Sequence, residues 1–270
     1  MSRAKHAPGV AAGILVIAVG LSVRFPITSV SPLLADIAQA YHLSAPGISV
    51  LSAIPVLLFG LASPLAPLLV SRLGLERAIT VLLAALALAT LLRPLSTPTL
   101  FIGTIIVGAT IALLGILAPQ IIRHALPRRG GFWTGIYTTS FGVSAAAGAA
   151  ISVPLFHLLD DQVGAALAAW GIPLLIALGL VIGFAPRLGL GLSAGPQRGG
   201  APAESILRAR GLWAVTGFFG CQALIYFSLT AWLPTIAVDR GMEPGHAGLL
   251  LAWLSVAGLP ASLLAPTLAA

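Results

Sequence analysis

Residues 10–33 read VAAGILVIAVGLSVRFPITSVSPL, an apolar stretch with a single charged residue, Arg24. A helix needs roughly 20 apolar residues to cross about 30 Å of hydrocarbon. Proline removes a backbone donor and crowds the preceding turn of a helix. The stretch therefore predicts a membrane-spanning helix that is interrupted at Arg24 and Pro26 and continues as helix to about Tyr41.

Seven further apolar stretches of similar length follow this one. Only 8% of the residues are charged and 58% are hydrophobic, whereas a soluble domain has about 25% charged residues. The sequence predicts an all-α membrane protein with eight spans that lie in a lipid bilayer. The seven further spans are residues 47–70, 78–95, 100–122, 132–156, 163–184, 212–237 and 247–270.

Lysine and arginine lie mostly on one side of the predicted spans. If the N-terminus is cytoplasmic, the inner segments hold eleven of the 14, the outer ends hold two, and Arg24 lies within a span. The positive-inside rule then predicts a multi-pass protein of the cell inner (plasma) membrane with a cytoplasmic N-terminus. Because the charges sit in short loops rather than on one soluble face, they do not predict a nucleic-acid partner. The eleven are Arg3, Lys5, Arg72, Arg77, Arg123, Arg128, Arg129, Arg187, Arg198, Arg208 and Arg210, and the outer two are Arg93 and Arg240.

A loop rich in Gly, Pro and Arg at residues 186–211 divides the chain after six spans. It is typical of a flexible cytoplasmic linker. An internal repeat supports the division, since FPITSVSP at residues 25–32 reappears as FSLTAWLP at residues 227–234. We predict a six-helix half at residues 1–185, a linker at 186–211 and the first two spans of a second half at 212–270.

Several segments together resemble the cyanate, nitrate and nitroimidazole permease group of the major facilitator superfamily. The resemblance implies a bundle of two six-helix halves, with a small solute bound near the bilayer midplane between them and moved by alternating access. Members commonly have twelve spans, so we expect the sequence to be truncated after the eighth span and the 270-residue chain alone not to transport. The segments are RFPITSVSPLL at residues 24–34, GLER at 74–77, GIYTT at 135–139, FGCQ at 219–222, AWLP at 231–234 and AGLLL at 247–251.

The loop after the second span departs from the superfamily pattern. Members usually carry the motif G-x-x-x-D-R-x-G-R there, and this sequence keeps Arg72 and Gly74 but has Ser71 in place of the acid. The resemblance implies a cytoplasmic gate formed by Arg72, Gly74 and the nearby Arg77. The missing acid weakens the charge contact expected between the two halves.

Arg24 is the strongest candidate for a substrate ligand, because it is the only charge that the sequence places well inside a span. A central arginine costs on the order of 2.5–3.5 kcal/mol on insertion scales. Its planar guanidinium can bind a small planar anion or a carboxylate through two hydrogen bonds. The alternative is an arginine that extends to the outer headgroups, helped by the break at Pro26.

A stripe of polar side chains accompanies Arg24 on the first span and on the repeat-related seventh span. We predict that Thr28, Gln222, Tyr226 and Thr230 line the substrate cavity, with Tyr137 of the fifth span a further candidate. The alternative for each is a hydrogen bond between neighbouring helices, which Ser, Thr and Gln commonly form in membranes.

Catalytic and metal-binding patterns are not apparent in the sequence. The five histidines fall at termini or loops, without Cys, Asp or Glu at ligand spacing, and Cys221 is the single cysteine. We therefore predict no enzyme activity, no catalytic residue, no metal and no cofactor. The alternatives to the small-solute permease are a drug or amino-acid exporter of the same superfamily and a truncated membrane protein that does not transport. The residues do not predict an oligomeric state.

Overall fold

The computed structural model describes residues 7–188 and 210–268, and every regular element in these ranges is helical. The predicted all-α helical bundle is confirmed. The α-helices are α1 Ala7–Ser22, α2 Phe25–Thr28, α3 Leu34–Ala40, α4 Ala45–Leu61, α5 Leu65–Leu73, α6 Leu75–Leu92, α7 Thr97–Ala125, α8 Gly130–Leu158, α9 Val163–Ala169, α10 Gly171–Phe184, α11 Arg210–Asp239, α12 Pro244–Ala257 and α13 Leu259–Leu268. Short 3₁₀ turns cover Ser31–Leu33, Arg93–Leu95, Pro127–Arg129 and Ala185–Leu188.

The helices agree with the predicted number of spans. Among the described residues, seven helices are long and apolar enough to cross a membrane, and the bent pair α4 and α5 makes an eighth. That pair differs from the continuous second span that we predicted, because its axis bends by 65°. Pro64 lies at the bend as the residue before α5, and it lacks the backbone N–H that would continue the helix. The predicted linker at residues 186–211 lies largely outside the described residues.

The first span is broken where the sequence predicted an interruption. α1 ends at Ser22 and α2 begins at Phe25, so the span continues to Ala40 through short segments. Pro26 lacks the backbone N–H that would bond the carbonyl of Ser22, and its ring crowds that carbonyl. The break exposes backbone N–H groups that need a partner, since lipid offers none.

A serine on α8 supplies that partner. The backbone N–H groups of Phe25 and Arg24 donate to Ser144 Oγ, at N···O distances of 2.9 and 3.3 Å. The same hydroxyl donates to the carbonyl of Leu21 at 2.6 Å. Ser144 is buried, so one side chain satisfies three backbone groups inside the bundle and holds the broken span against α8.

Small residues allow the end of the chain to pack closely along α8. A Cβ atom added to Gly248 of α12 would lie 2.7 Å from the carbonyl oxygen of Ala149. A Cβ atom at Gly135 of α8 would lie 2.8 Å from the carbonyl oxygen of Leu263 in α13. Helix backbones can approach so closely only where side chains are absent. The eighth span, which follows the predicted linker in the sequence, thus packs directly against the fifth span, which precedes it.

Candidate functional site

A cavity lies where the first, second, fourth and seventh spans meet. It contains about 650 Å³ of space between the atoms, part of which is open to the surroundings. Its walls come from both sides of the predicted linker. The lining residues are Pro26, Ile27, Val30, Ser31, Leu34, Leu51, Ser52, Pro55, Val56, Arg93, Leu100, Thr104, Val107, Phe227, Thr230 and Ala231.

Arg24 lies beside this cavity among aromatic rings. Its Cζ atom is 5.1 Å from the ring centroids of Tyr226 and Phe227 on α11 and 5.6 Å from that of Phe141 on α8. A guanidinium within about 6 Å of an aromatic centroid is attracted by the electron-rich ring face. The structure therefore brings Arg24 and Tyr226 together. Phe227 is shared, since it contacts Arg24 and also lines the cavity.

Thr28 and Tyr137 lie close to Arg24 but do not line the cavity. Thr28 is 1% exposed, its hydroxyl donates to the carbonyl of Arg24 at 3.2 Å, and it packs against Gly148 of α8. Tyr137 is buried and its ring lies edge-on to Phe141, with centroids 4.5 Å apart. Within the described part of the chain its hydroxyl has no hydrogen-bond partner.

Thr230 lines the cavity, whereas Gln222 lies apart from it. Thr230 is 3% exposed, and its hydroxyl has no partner among residues 7–188 and 210–268. Its backbone carbonyl and that of Ala231 accept hydrogen bonds from Ser31 Oγ, at 2.5 and 2.8 Å. These bonds join the first span to the seventh. The side chain of Gln222, two turns earlier on α11, is exposed.

Arg93 is a cavity residue that the sequence analysis missed. We expected an outer-end residue, and its position in the 3₁₀ turn after α6 agrees with that. Its side chain is nevertheless directed inward and only 1% exposed, and Nη1 donates to the carbonyl of Pro26 at 3.0 Å. Arg93 is thus a second arginine enclosed by the bundle, at the end of a span rather than well inside one. The signal in the sequence was indirect: Arg93 is one of only two outer basic residues, and it ends an apolar run.

Glycine on the neighbouring helix explains how Arg93 becomes buried. A Cβ atom at Gly103 of α7 would lie 3.0 Å from the Cα atom of Arg93 and 3.2 Å from the carbonyl oxygen of Ala89. α7 can thus lie directly over the end of α6, and the arginine side chain is enclosed beneath it. Sequence periodicity does not reveal this contact, since Gly103 and Arg93 belong to different spans.

The predicted gate residues lie at the α5–α6 connection. Gly74 has φ +77° and ψ 163°, a conformation that is essentially restricted to glycine. Its N–H donates to the carbonyl of Val70 at 2.8 Å, which ends α5. Arg72 in the last turn of α5 and Arg77 in the first turn of α6 are both exposed.

Potential metal ligands are dispersed in the structure. Within the described residues, no three His, Cys, Asp or Glu side chains cluster as a metal site would require. Two histidines nevertheless pair with a carboxylate three or four residues away, contrary to the sequence-based expectation: His157 with Asp161 at 2.7 Å and His246 with Glu243 at 3.2 Å. All four side chains are exposed.

Comparison with known proteins gives one family and several relatives. Residues 13–270 match the family described as the Major Facilitator Superfamily. The chain is 34% identical over 255 residues to the "Uncharacterized transporter YycB" of Bacillus subtilis (strain 168), which covers 94% of this chain and 62% of that protein. It is 34% identical over 262 residues to the 2-nitroimidazole transporter of Escherichia coli (strain K12), covering 94% and 64%. The match to the cyanate transport protein CynX of the same organism is 24% identical over 258 residues, covering 95% and 66%. The chain thus spans less than two thirds of the length of these curated relatives.

Proposed function

Since the chain belongs to the Major Facilitator Superfamily and its relatives include small-solute transporters, as the sequence resemblance predicted, we propose that it moves a small solute across a membrane. We further propose that the solute is a small planar anion such as cyanate or nitrate, or a nitroimidazole-like compound. The observation that carries the proposal is the cavity beside Arg24, whose walls come from spans on both sides of the predicted linker.

The chemistry around Arg24 supports a planar solute. A guanidinium recognises a negative or polarised planar group through two parallel hydrogen bonds. The rings of Tyr226, Phe227 and Phe141 that surround it provide flat apolar surfaces on which an azole or nitro group can stack. In this proposal Arg24 anchors the polar group, and Tyr226 and Thr230 shape the cavity. Thr28, Tyr137 and Gln222 are retained as proposed site residues on the sequence evidence.

Alternating access needs contacts between the two halves that break and form again. The hydroxyl of Ser31 on the first span is bonded to two carbonyls of the seventh span. Hydrogen bonds between membrane helices average only about 0.6 kcal/mol in measured cases. We propose that this contact closes one side of the cavity and opens during transport, while Arg72, Gly74 and Arg77 form the gate on the cytoplasmic side.

We also propose an inner-membrane location with a cytoplasmic N-terminus. The support is the distribution of lysine and arginine, of which eleven lie in the segments predicted to be cytoplasmic. In this orientation Arg72 and Arg77 face the cytoplasm. Arg93 and Arg240 lie toward the outer side.

Flux into proteoliposomes tests the proposed function. Radiolabelled 2-nitroimidazole, cyanate and nitrate are supplied to vesicles that contain the purified protein, and empty vesicles serve as the control. We expect saturable uptake of at least one of the three solutes, with competition by unlabelled solute, from a protein that carries both six-helix halves. For residues 1–270 alone the expectation stated above is no flux. Saturable uptake of a hydrophobic drug or an amino acid instead would favour the exporter alternative. The absence of any protein-dependent flux would favour a membrane protein that does not transport.

A further inference from the structure

The guanidinium of Arg93 has one side engaged and one side free. Nη1 donates to the carbonyl of Pro26 at 3.0 Å. Nε and Nη2 are closed off from solvent and, within the described ranges, have no hydrogen-bond partner. In a guanidinium, Nε–H and one N–H of Nη2 point in the same direction along one edge, which is the edge that pairs with a carboxylate through two parallel bonds. The free atoms of Arg93 therefore form a complete two-pronged donor.

A second unpaired polar group belongs to the same cavity. The hydroxyl of Thr230 is buried and has no partner in the described part of the chain, and Thr230 and Arg93 both line the cavity. Buried polar groups of this kind are normally hydrogen-bonded in native proteins. Two other hydroxyls of the lining are less available, since Ser31 donates to α11 and Thr104 donates to the carbonyl of Leu100 at 2.7 Å.

The backbone that carries Arg93 is held in place from the outer side. The hydroxyl of Tyr41 donates to the carbonyl of Pro94 at 2.7 Å. Thr97 Oγ1 in turn donates to the carbonyl of Tyr41 at 3.2 Å. Together with the close approach of Gly103, these contacts hold the backbone at Arg93, and the bond from Nη1 to the carbonyl of Pro26 orients its side chain. Such preorganisation lowers the cost of binding.

We propose that Arg93 and Thr230 form a binding site, separate from Arg24, for a planar group that presents two acceptor oxygens, such as a nitro group, a nitrate ion or a carboxylate. The Nε–Nη2 edge of Arg93 binds the two oxygens, and the hydroxyl of Thr230 donates to one of them. Since Arg93 follows the third span and Thr230 lies on the seventh, the bound group connects the two halves. The inference rests on the proposed function only in taking this group to be part of the transported solute.

Nitrate binding to the purified protein in detergent tests the site. Thermal unfolding is followed as nitrate is titrated, with chloride at equal ionic strength as the comparison, because a ligand that binds only the folded state raises Tm. We expect nitrate to raise Tm more than chloride does. Arg93→Gln should raise the nitrate concentration that gives half of the maximal rise in Tm by about 10- to 150-fold. Thr230→Val should raise the same concentration by about 2- to 10-fold. Arg240→Gln, which changes an exposed outer arginine, and Thr90→Val, which changes a buried threonine bonded within its own helix, are the matched controls.

Each other outcome overturns the site. The proposed site is refuted if nitrate and chloride raise the Tm of the wild type equally, or if Arg93→Gln responds to nitrate as the wild type does. It is also refuted if Arg240→Gln weakens nitrate binding as much as Arg93→Gln, and Thr90→Val as much as Thr230→Val. Should Arg93→Gln not fold, the comparison of Thr230→Val with Thr90→Val decides in the same way.

The 2-nitroimidazole flux separates this inference from the proposed function. If the wild type transports 2-nitroimidazole and Arg93→Gln transports it equally well, the proposed site is refuted and the proposed transport function stands. If nitrate binding depends on Arg93 but the protein transports none of the tested solutes, the proposed site stands and the proposed transport function is refuted.

Discussion

Ser144 should be the most important side chain for the stability of the broken first span. Its hydroxyl accepts from the backbone N–H of Phe25 at 2.9 Å and of Arg24 at 3.3 Å, and donates to the carbonyl of Leu21 at 2.6 Å. Replacement by alanine keeps the size of the side chain nearly constant and removes all three bonds. No water is present in the hydrocarbon to replace them.

The expected magnitude follows from the three bonds. A buried backbone group left without a partner costs about 1–3 kcal/mol, but hydrogen bonds between membrane helices average about 0.6 kcal/mol in measured cases. The short bond to Phe25 should dominate, and the longer one to Arg24 should add little. We therefore expect Ser144→Ala to lower the free energy of unfolding by about 1–3 kcal/mol.

Ser152→Ala is the matched control. Ser152 lies on the same helix and is equally buried, but its hydroxyl donates to the carbonyl of Gly148 within its own helix. A bond of this kind contributes little to stability, so the control should stay within about 0.5 kcal/mol of wild type. Unfolding of both variants is measured by circular dichroism in mixed micelles with increasing dodecyl sulfate. The reasoning is refuted if Ser144→Ala is no less stable than Ser152→Ala.

Three further perturbations test the site, the orientation and the packing. In a version that carries both six-helix halves, Arg24→Ala should abolish flux while the protein stays in the membrane, and Arg24→Lys should keep a small part of the flux. The reason is that losing a charge-assisted contact weakens binding by about 10- to 150-fold. Wild-type apparent affinity in the alanine variant would exclude Arg24 as a ligand. In a cysteine-free background, single cysteines at residues 186–211 should resist impermeant thiol reagents added outside and a cysteine at Asp160 should react, and the reverse labelling would contradict the orientation. Gly248→Ala should destabilise the protein by about 1–3 kcal/mol because its methyl group meets the backbone of α8. Gly220→Ala, which meets nothing within 4 Å, should be neutral or slightly stabilising, and equal effects of the two would argue against close packing.

Most of the membrane spans could be predicted from the sequence. The run at residues 10–33 predicted both a membrane helix and its interruption, and the structure breaks the helix between Ser22 and Phe25. The apolar run that forms α4 and α5 is predicted as one span, and its composition does not show the 65° bend. Bends depend on how the rest of the bundle receives the freed backbone groups, and hydropathy does not contain that information.

The candidate site was only partly visible in the sequence. The sequence predicts Arg24 and Tyr226 as site residues on repeat-related spans, and the Cζ atom of Arg24 lies 5.1 Å from the ring centroid of Tyr226. Ser144 looked like any small residue in a glycine- and alanine-rich helix, although it bonds the break in the first span. A serine that bonds its own helix and one that bonds a neighbour have the same sequence context, so the sequence cannot distinguish them.

By itself, the sequence determined that the chain is a helical membrane protein, because apolar length and the scarcity of charge are local properties that the bilayer selects directly. Only the tertiary structure decided which polar groups are enclosed. Arg93 ends an apolar run and is expected at the outer end. In the structure, Gly103 lets α7 lie over it, and the carbonyl of Pro26 accepts a hydrogen bond from its Nη1. The burial of a side chain depends on contacts between residues distant in the chain, and these contacts exist only once the helices have packed.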